Sequence, residues 1–241
     1  MAYGSDEVKS RVHRAELVAA VGVSRLHSKA DSRDPPSVFR VLMFDLDDTL
    51  FDRGAAFERW ARERLGTLDT ETVAWLQELD DRGRRPRREL ADGIAARLGV
   101  TVDPDGFSLE LARFVEPEPG AYDSVKRLAA KRRVAVVSNG HGPAQRAKLV
   151  ATGLADVVHA VFISGELGFA KPDARIFERA LQWSEHAPSE CLFIGDDPVN
   201  DLAPAMAFGM GTAWRERGTW PAELAAPQFT IHSLADLEAV A

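Results

Sequence analysis

Between Phe39 and Phe44 the chain reads Phe-Arg-Val-Leu-Met-Phe, and it then turns acidic as Asp45-Leu46-Asp47-Asp48-Thr49-Leu50-Phe51-Asp52. An apolar run of this length without polar alternation reads as a strand buried on both faces, the kind found in parallel sheets covered by helices. The acids therefore fall at the strand's carboxyl end. In open α/β sheets that edge is where ligands bind. Carboxylates so close together repel one another unless a cation or a substrate uses them.

The rest of the chain fits that frame. From Tyr122 onward helical and strand patterns alternate: a helix to about Lys131, a strand Val134–Val137 ending in Ser138-Asn139-Gly140, and a helix from about Pro143 to Thr152. A strand Ala160–Ser164 follows, then the loop Gly168-Phe169-Ala170-Lys171-Pro172-Asp173 opening a helix to about Trp183. Pro172 and Asp173 suit a first helical turn. Cys191–Ile194 is a further buried strand, stopped by Gly195-Asp196-Asp197-Pro198-Val199-Asn200-Asp201 and followed by a helix from Leu202 to Phe208. Short strands at Gly211–Trp214 and Phe229–Ile231 complete the pattern. Alternation of this kind requires right-handed crossovers and a mostly parallel sheet.

Two segments break the alternation. Residues 54–117 are rich in helix formers, with Phe57, Trp60, Ala61, Leu65, Val73, Trp75, Leu76, Leu79, Leu90, Ile94 and Leu98 at helical spacing,. They read as an all-helical insert, and Pro117-Glu118-Pro119-Gly120 is the re-entry linker. Residues 1–37 are polar with one weakly apolar patch and end in Asp34-Pro35-Pro36-Ser37, so they read as a flexible extension,. The expected organisation is thus an extension at 1–37, a core built from 38–53 and 118–241, and a small helical domain at 54–117.

A chain of 241 residues, 45% hydrophobic and 28% charged, buries a substantial core,. Its 37 acids against 30 basic residues, a net charge of −7, argue against nucleic acid or an anionic membrane as partner,. The one cysteine, Cys191, lies inside an apolar strand and reads as a buried structural thiol, so no intramolecular disulfide forms,. With no basic leader and no apolar run long enough to span a bilayer, a cytoplasmic monomer or homodimer is expected.

If the strands run parallel, the polar groups at Asp45, Ser138, Lys171 and Asp196 share one edge. A set of carboxylates with no His or Cys points to a hard cation, Mg²⁺ before Zn²⁺. A lysine and a serine beside such an ion call for an anionic ligand, and phosphate fits best. In phosphoryl transfer, catalysis consists largely of aligning a nucleophile and neutralising the phosphoryl oxygens. Asp45, first past the strand, can attack phosphorus. Asp47 can protonate the leaving oxygen and later activate water.

Asp45-x-Asp47-x-Thr49, Ser138-Asn139-Gly140, Lys171-Pro172 and Gly195-Asp196-Asp197 with Asp201 resemble, in order and spacing, the four motifs of the haloacid dehalogenase superfamily. The resemblance covers about Val38 to Ala239. It implies a Rossmann-like, mostly parallel α/β core, with the helical insert as a cap inserted after the first strand. The stretch Gly165–Asp173 looks most like the capped small-molecule phosphatases, including pyrimidine nucleotidases and sugar phosphatases. By that resemblance Asp45 is the nucleophile, Asp47 the general acid and base, and Thr49 a support for the loop. Ser138 and the Asn139 amide bind the phosphoryl group, and Lys171 neutralises charge. Asp45, the Asp47 carbonyl and Asp196 bind Mg²⁺, while Asp197 or Asp201 anchors metal-bound water.

The segment Arg82–Arg88 carries five arginines in seven positions. A solvated face is the default reading, with substrate contact the second. His141 reads as a turn residue, and Phe57, Trp60 and Trp75 as the insert's core. Trp183, Trp214 and Trp220 read as packing. The expected activity is Mg²⁺-dependent hydrolysis of a small phosphorylated metabolite, a sugar phosphate or nucleoside monophosphate, through an aspartyl-phosphate. A phosphomutase, a 2-haloacid dehalogenase and a non-catalytic phospho-ligand module are the alternatives. The dehalogenase has no need of Asp47, and the binding module has no need of Asp45, Asp47 and Lys171 together.

Overall fold

The computed structural model describes residues 39–240, so the expectation for residues 1–37 lies outside the described residues. Six strands form one sheet: β1 Val41–Phe44, β2 Arg133–Ser138, β3 Ala160–Ile163, β4 Cys191–Gly195, β5 Gly211–Arg215 and β6 Phe229–Ile231. Their order is β3-β2-β1-β4-β5-β6, and every pairing is parallel. The first strand is therefore central. The chain leaves it toward β2 and β3 on one side and returns on its other side with β4, which makes the carboxyl end of β1 the point where the winding reverses and a crevice opens.

The unbroken apolar run of β1 has the expected cause. Leu42 and Phe44 belong to the core on one face of the sheet, and Val41 and Met43 to the core on the other. All four are fully buried. The helices covering these faces are α5 Ala121–Ala129, α6 Gly142–Ala151, α7 Ser164–Leu167, α8 Ala174–Ser184, α9 Ala203–Ala207 and α10 Leu237–Val240. The helix expected from Leu202 to Phe208 divides into a π-turn, Pro198–Leu202, and the short α9. Asp197 caps the wider π-turn, its side chain accepting hydrogen bonds from the Val199 and Asn200 amides,.

Between β1 and α5 lie α1 Arg53–Leu65, α2 Thr70–Asp80, α3 Arg87–Leu98 and α4 Phe107–Leu111. Asp52 caps α1 by accepting from Ala55 N at 2.8 Å,. The inner face of this helical stretch is aromatic: Trp60 stacks on Phe57 at 5.5 Å and meets Phe107 edge-on at 4.8 Å. Trp75 is only half-buried and lies under the Arg97 guanidinium. Among the described residues no helix is long and apolar enough to cross a membrane. Cys191 is buried and free.

Candidate active site

The loop after β1 folds on itself so that Leu50 N donates to Leu46 O at 3.0 Å, and Asp48 adopts a left-handed backbone. Asp45 follows directly on β1, its amide bonded to Ile194 O at 2.8 Å. The strands carry the other predicted groups to the same edge. Asp45, Asp196 and Asp201 each offer a carboxylate oxygen within 4.8 Å of the other two, and all three are buried. Lys171 Nζ lies 2.6 Å from Asp45 Oδ1 and 2.7 Å from Asp201 Oδ1. Only the contact to Asp45 is oriented as a hydrogen bond, and it leaves Asp201 Oδ1 buried without a donor. Gly195 is required here, because a Cβ at that position would sit 2.4 Å from Asp201 Oδ2.

Three carboxylates face the Lys171 ammonium and, at Asp196 alone, the Arg82 guanidinium that Asp48 shares, so the cluster is short of positive charge. Burial, then the neighbouring carboxylates, push Asp196 up to about 8 and Asp201 up to about 7, and burial raises Asp45 as well,. Burial works against the Lys171 charge, but Asp201 and Asp45 outweigh it and hold the ammonium above its usual range. A buried, oxygen-only cluster in which carboxylates outnumber cations fits a hard, oxygen-seeking divalent ion,. Asp45, Asp196 and Asp201 are the residues present to hold one. Of the two acids left open by spacing, Asp201 joins this cluster. Asp197 is committed to capping the π-turn and to the Asn200 side chain at 2.7 Å.

Thr49 is fully buried and donates to Asp196 Oδ1 at 3.3 Å, so it braces an acid from beneath. Asn139 makes a two-way amide contact with the Lys171 backbone, at 2.9 and 2.8 Å, tying the two loops together. Trp214, read from sequence as packing, donates from Nε1 to Asp196 O at 3.1 Å.

Asp47 lies apart from the carboxylate cluster and has partners of its own. Lys148 Nζ is 2.6 Å from Oδ1, and Gln145 Nε2 is 2.6 Å from Oδ2. Burial raises the Asp47 carboxyl, but the Lys148 and Arg53 charges outweigh it and hold it below the usual carboxylate range. The motifs did not reveal Gln145 or Lys148. Helical spacing carried a signal for both, since they share the buried face of α6 with Ala144 and Leu149. A polar group on a buried helix face needs a partner.

The arginine run departs from its default reading. Arg82, Arg84 and Arg87, with Arg53, Ser108 and His141, line a cavity of about 230 Å³ over Asp45, Asp47 and Asp196. The cause is local. Asp81, Arg82 and Gly83 are all left-handed, with φ of 47°, 53° and 81°, which turns the loop back onto the sheet edge. Two consecutive non-glycine residues in that region cost energy that the surrounding contacts must offset. Those contacts are ionic. Arg82 pairs with Asp48 and Asp196, and buried Asp80 is shared by Arg53, Arg87 and the Gly83 amide. Arg88 is exposed, and Arg85 turns to Leu79 O and Glu89. His141 sits at the turn preceding α6 and also lines the cavity.

The family model for haloacid dehalogenase-like hydrolases matches residues 39–209. The chain belongs to this family. Among relatives of this haloacid dehalogenase-like hydrolase is the phosphoserine phosphatase of Thermus thermophilus, 31% identical over 234 residues, with 95% of this chain and 90% of the relative covered. The pyrimidine 5'-nucleotidase YjjG of Escherichia coli is 31% identical over 218 residues, covering 82% and 95%. The HAD-hydrolase YfnB of Bacillus subtilis, in a crystal structure bound to magnesium, superposes with a TM-score of 0.69 at 22% identity, over 84% of this chain and 98% of that one. L-2-haloacid dehalogenase from Xanthobacter autotrophicus gives 0.68 at 20% identity over the same shares. At these identities the structural likeness speaks for the fold, which dehalogenases and this hydrolase share.

Proposed function

We propose that this hydrolase is a divalent-metal-dependent phosphatase that cleaves a small phosphate monoester through a phosphorylated Asp45. The observation that carries the reading is the pairing of Lys171 with Asp45 inside the carboxylate cluster, with Asp47 two residues on and separately held. A nucleophilic carboxylate must approach a phosphate dianion, and Lys171 removes the repulsion between them. Phosphatases among the curated relatives favour phosphate over halide as the leaving chemistry.

In the first step an Asp45 oxygen bonds to phosphorus as the P–O bond to the leaving group breaks, and Asp47, which must first take up a proton against the pull of Lys148 and Arg53, gives that proton to the leaving-group oxygen,. In the second step Asp47 takes a proton from water, water oxygen bonds to phosphorus and Asp45 is released, which restores the enzyme. By this reading Ser138 and the Asn139 amide meet the phosphoryl oxygens. Asp45, the Asp47 carbonyl, Asp196 and Asp201 would hold Mg²⁺, which supplies neutralisation of phosphoryl charge when bound. The helical segment 54–117 acts as the cap, and its Arg82, Arg84 and Arg87 meet the leaving group. Sugar phosphates, nucleoside monophosphates and phosphorylated small acids are the substrate classes that fit.

The test is hydrolysis of 4-nitrophenyl phosphate with and without Mg²⁺, run beside chloride release from 2-chloropropionate. Phosphate release that stops with EDTA and returns with Mg²⁺, and that Asp45→Asn abolishes, is the expected result. Turnover that survives complete chelation sinks the metal assignment. Chloride release without phosphate release replaces the phosphatase with a dehalogenase.

A further inference from the structure

We propose that Lys148 and Gln145 are positioning residues that lock the Asp47 carboxylate in the orientation proton transfer needs, an assignment that rests on the phosphatase reading. Helix α6 begins just beyond Ser138-Asn139-Gly140, so its first turns are anchored to the phosphate-binding loop. Gln145 and Lys148 are three residues apart on its buried face and only 2% and 5% exposed. Each holds a different oxygen of Asp47, both at 2.6 Å. A carboxylate gripped at both oxygens by one helix cannot rotate about its final torsion.

Packing does not account for the lysine. A methionine would fill the same stretch of helix without burying an ammonium, which is costly unless the partner is well placed. The other charges near Lys148 are the Arg53 and Arg87 guanidiniums, which repel it and are themselves drawn to Asp80. Asp47 is therefore the group that justifies Lys148 in this position. The chemistry follows from the contact. When Asp47 gives its proton to the leaving oxygen it becomes a carboxylate, and Lys148 is already in place beside that charge.

Gln145 does a second job. Its Nε2 also donates to Ser138 Oγ at 2.7 Å. An amide hydrogen pointing at one lone pair of the hydroxyl leaves Ser138 to donate its own hydrogen, which in this structure goes to Asn139 O at 3.3 Å,. Gln145 thus links the acid to the phosphate-binding loop, so that proton donor and phosphate donor are set by one side chain.

The experiment compares kcat/KM of Lys148→Met, Lys148→Arg and Gln145→Leu on two substrates, an alkyl phosphate and 4-nitrophenyl phosphate. An alkoxide needs its proton in the transition state and 4-nitrophenolate does not. Positioned proton transfer contributes on the order of 10²-fold or more. Lys148→Met is therefore expected to lose at least about tenfold more on the alkyl than on the aryl substrate, with partial recovery in Lys148→Arg. Equal losses on both substrates would show a merely structural lysine and overturn the proposal. Urea unfolding of Lys148→Met, Asp47→Asn and the double variant reads the contact independently of any substrate. A double variant no less stable than the weaker single supports the pair, and additive losses overturn it. If wild-type enzyme is inert to every phosphate ester, the phosphatase reading falls, while the unfolding cycle still decides the pair.

Discussion

Binding of a divalent cation should release protons, by an amount the site itself sets. Asp196 is pushed up to about 8 and Asp201 up to about 7, against 3.8 for an ordinary aspartate. At pH 6.5 a group titrating near 8 is almost wholly protonated and one near 7 mostly so, so the pair holds about one to two protons. A cation bound to these oxygens must displace them. Mg²⁺ affinity should therefore rise about tenfold per pH unit for each proton released, from about pH 5.5 to 7, and level off above about pH 8. Titration calorimetry at one pH in two buffers of different ionisation heat counts the protons directly. Affinity that is flat between about pH 6 and 8, with no proton release, would refute the claim that Asp196 and Asp201 are the ligands.

The same shifts set the stability of the metal-free protein. Both folded-state values lie above the unfolded value, so the native state binds more protons, and stability falls as pH rises from about 4 through about 8,; chemical unfolding in EDTA at a series of pH values checks this, and a rise over that range contradicts it. Lys171→Met should lower kcat/KM by at least about 10²-fold, since three buried carboxylates would face phosphate without their ammonium,; a loss under twofold places Lys171 outside the chemistry. Asp80→Ala leaves the buried Arg53 and the part-buried Arg87 without their shared partner, a loss of about 3 kcal/mol or more, read as a fall in Tm on the order of 10 °C. Replacing Arg82, Arg84 and Arg87 by Ala should reorder activity across a phosphate-ester panel, while Arg88→Ala leaves the order alone; the reverse pattern would remove the cavity arginines from substrate recognition.

The fold was legible because its signal is made of long-range chemistry written locally. A strand buried on two faces has to be continuously apolar, and Val41–Phe44 is so for that reason,. Once the sheet is parallel, Asp45, Lys171 and Asp196 must share an edge, and they do. That Asp201 rather than Asp197 joins the carboxylate cluster was not legible, because it depends on a π-turn that spends Asp197 as a cap. The arginine loop was hidden for a similar reason. Asp81 is left-handed for a local reason, as the residue closing α2 with its amide bonded to Gln77 O and Glu78 O, but nothing local favours that backbone at Arg82. Contacts made far along the chain, to Asp48 and Asp196, impose it. Gln145 and Lys148 were legible in principle, but helix-face bookkeeping that scores only apolar residues passes over them.

The site is held together by two separate ionic arrangements, and the separation is what lets two aspartates two residues apart differ. Asp45 shares Lys171 with Asp201 and stands near Asp196, so acids outnumber bases around it and burial keeps its carboxyl raised. Asp47 faces Lys148, Gln145 and the nearby Arg53, so bases outnumber acids and it is held low. Sequence neighbours normally share an environment. Here the left-handed turn at Asp48 and the closure of Leu50 onto Leu46 send the two side chains to opposite sides of the loop's own backbone, one toward β4 and one toward α6. Under the proposed mechanism, a nucleophile set among ligands for a cation and a proton carrier set among cations cannot exchange roles. The proposed division of labour between Asp45 and Asp47 would therefore reside in the turn that separates them as much as in the two residues themselves.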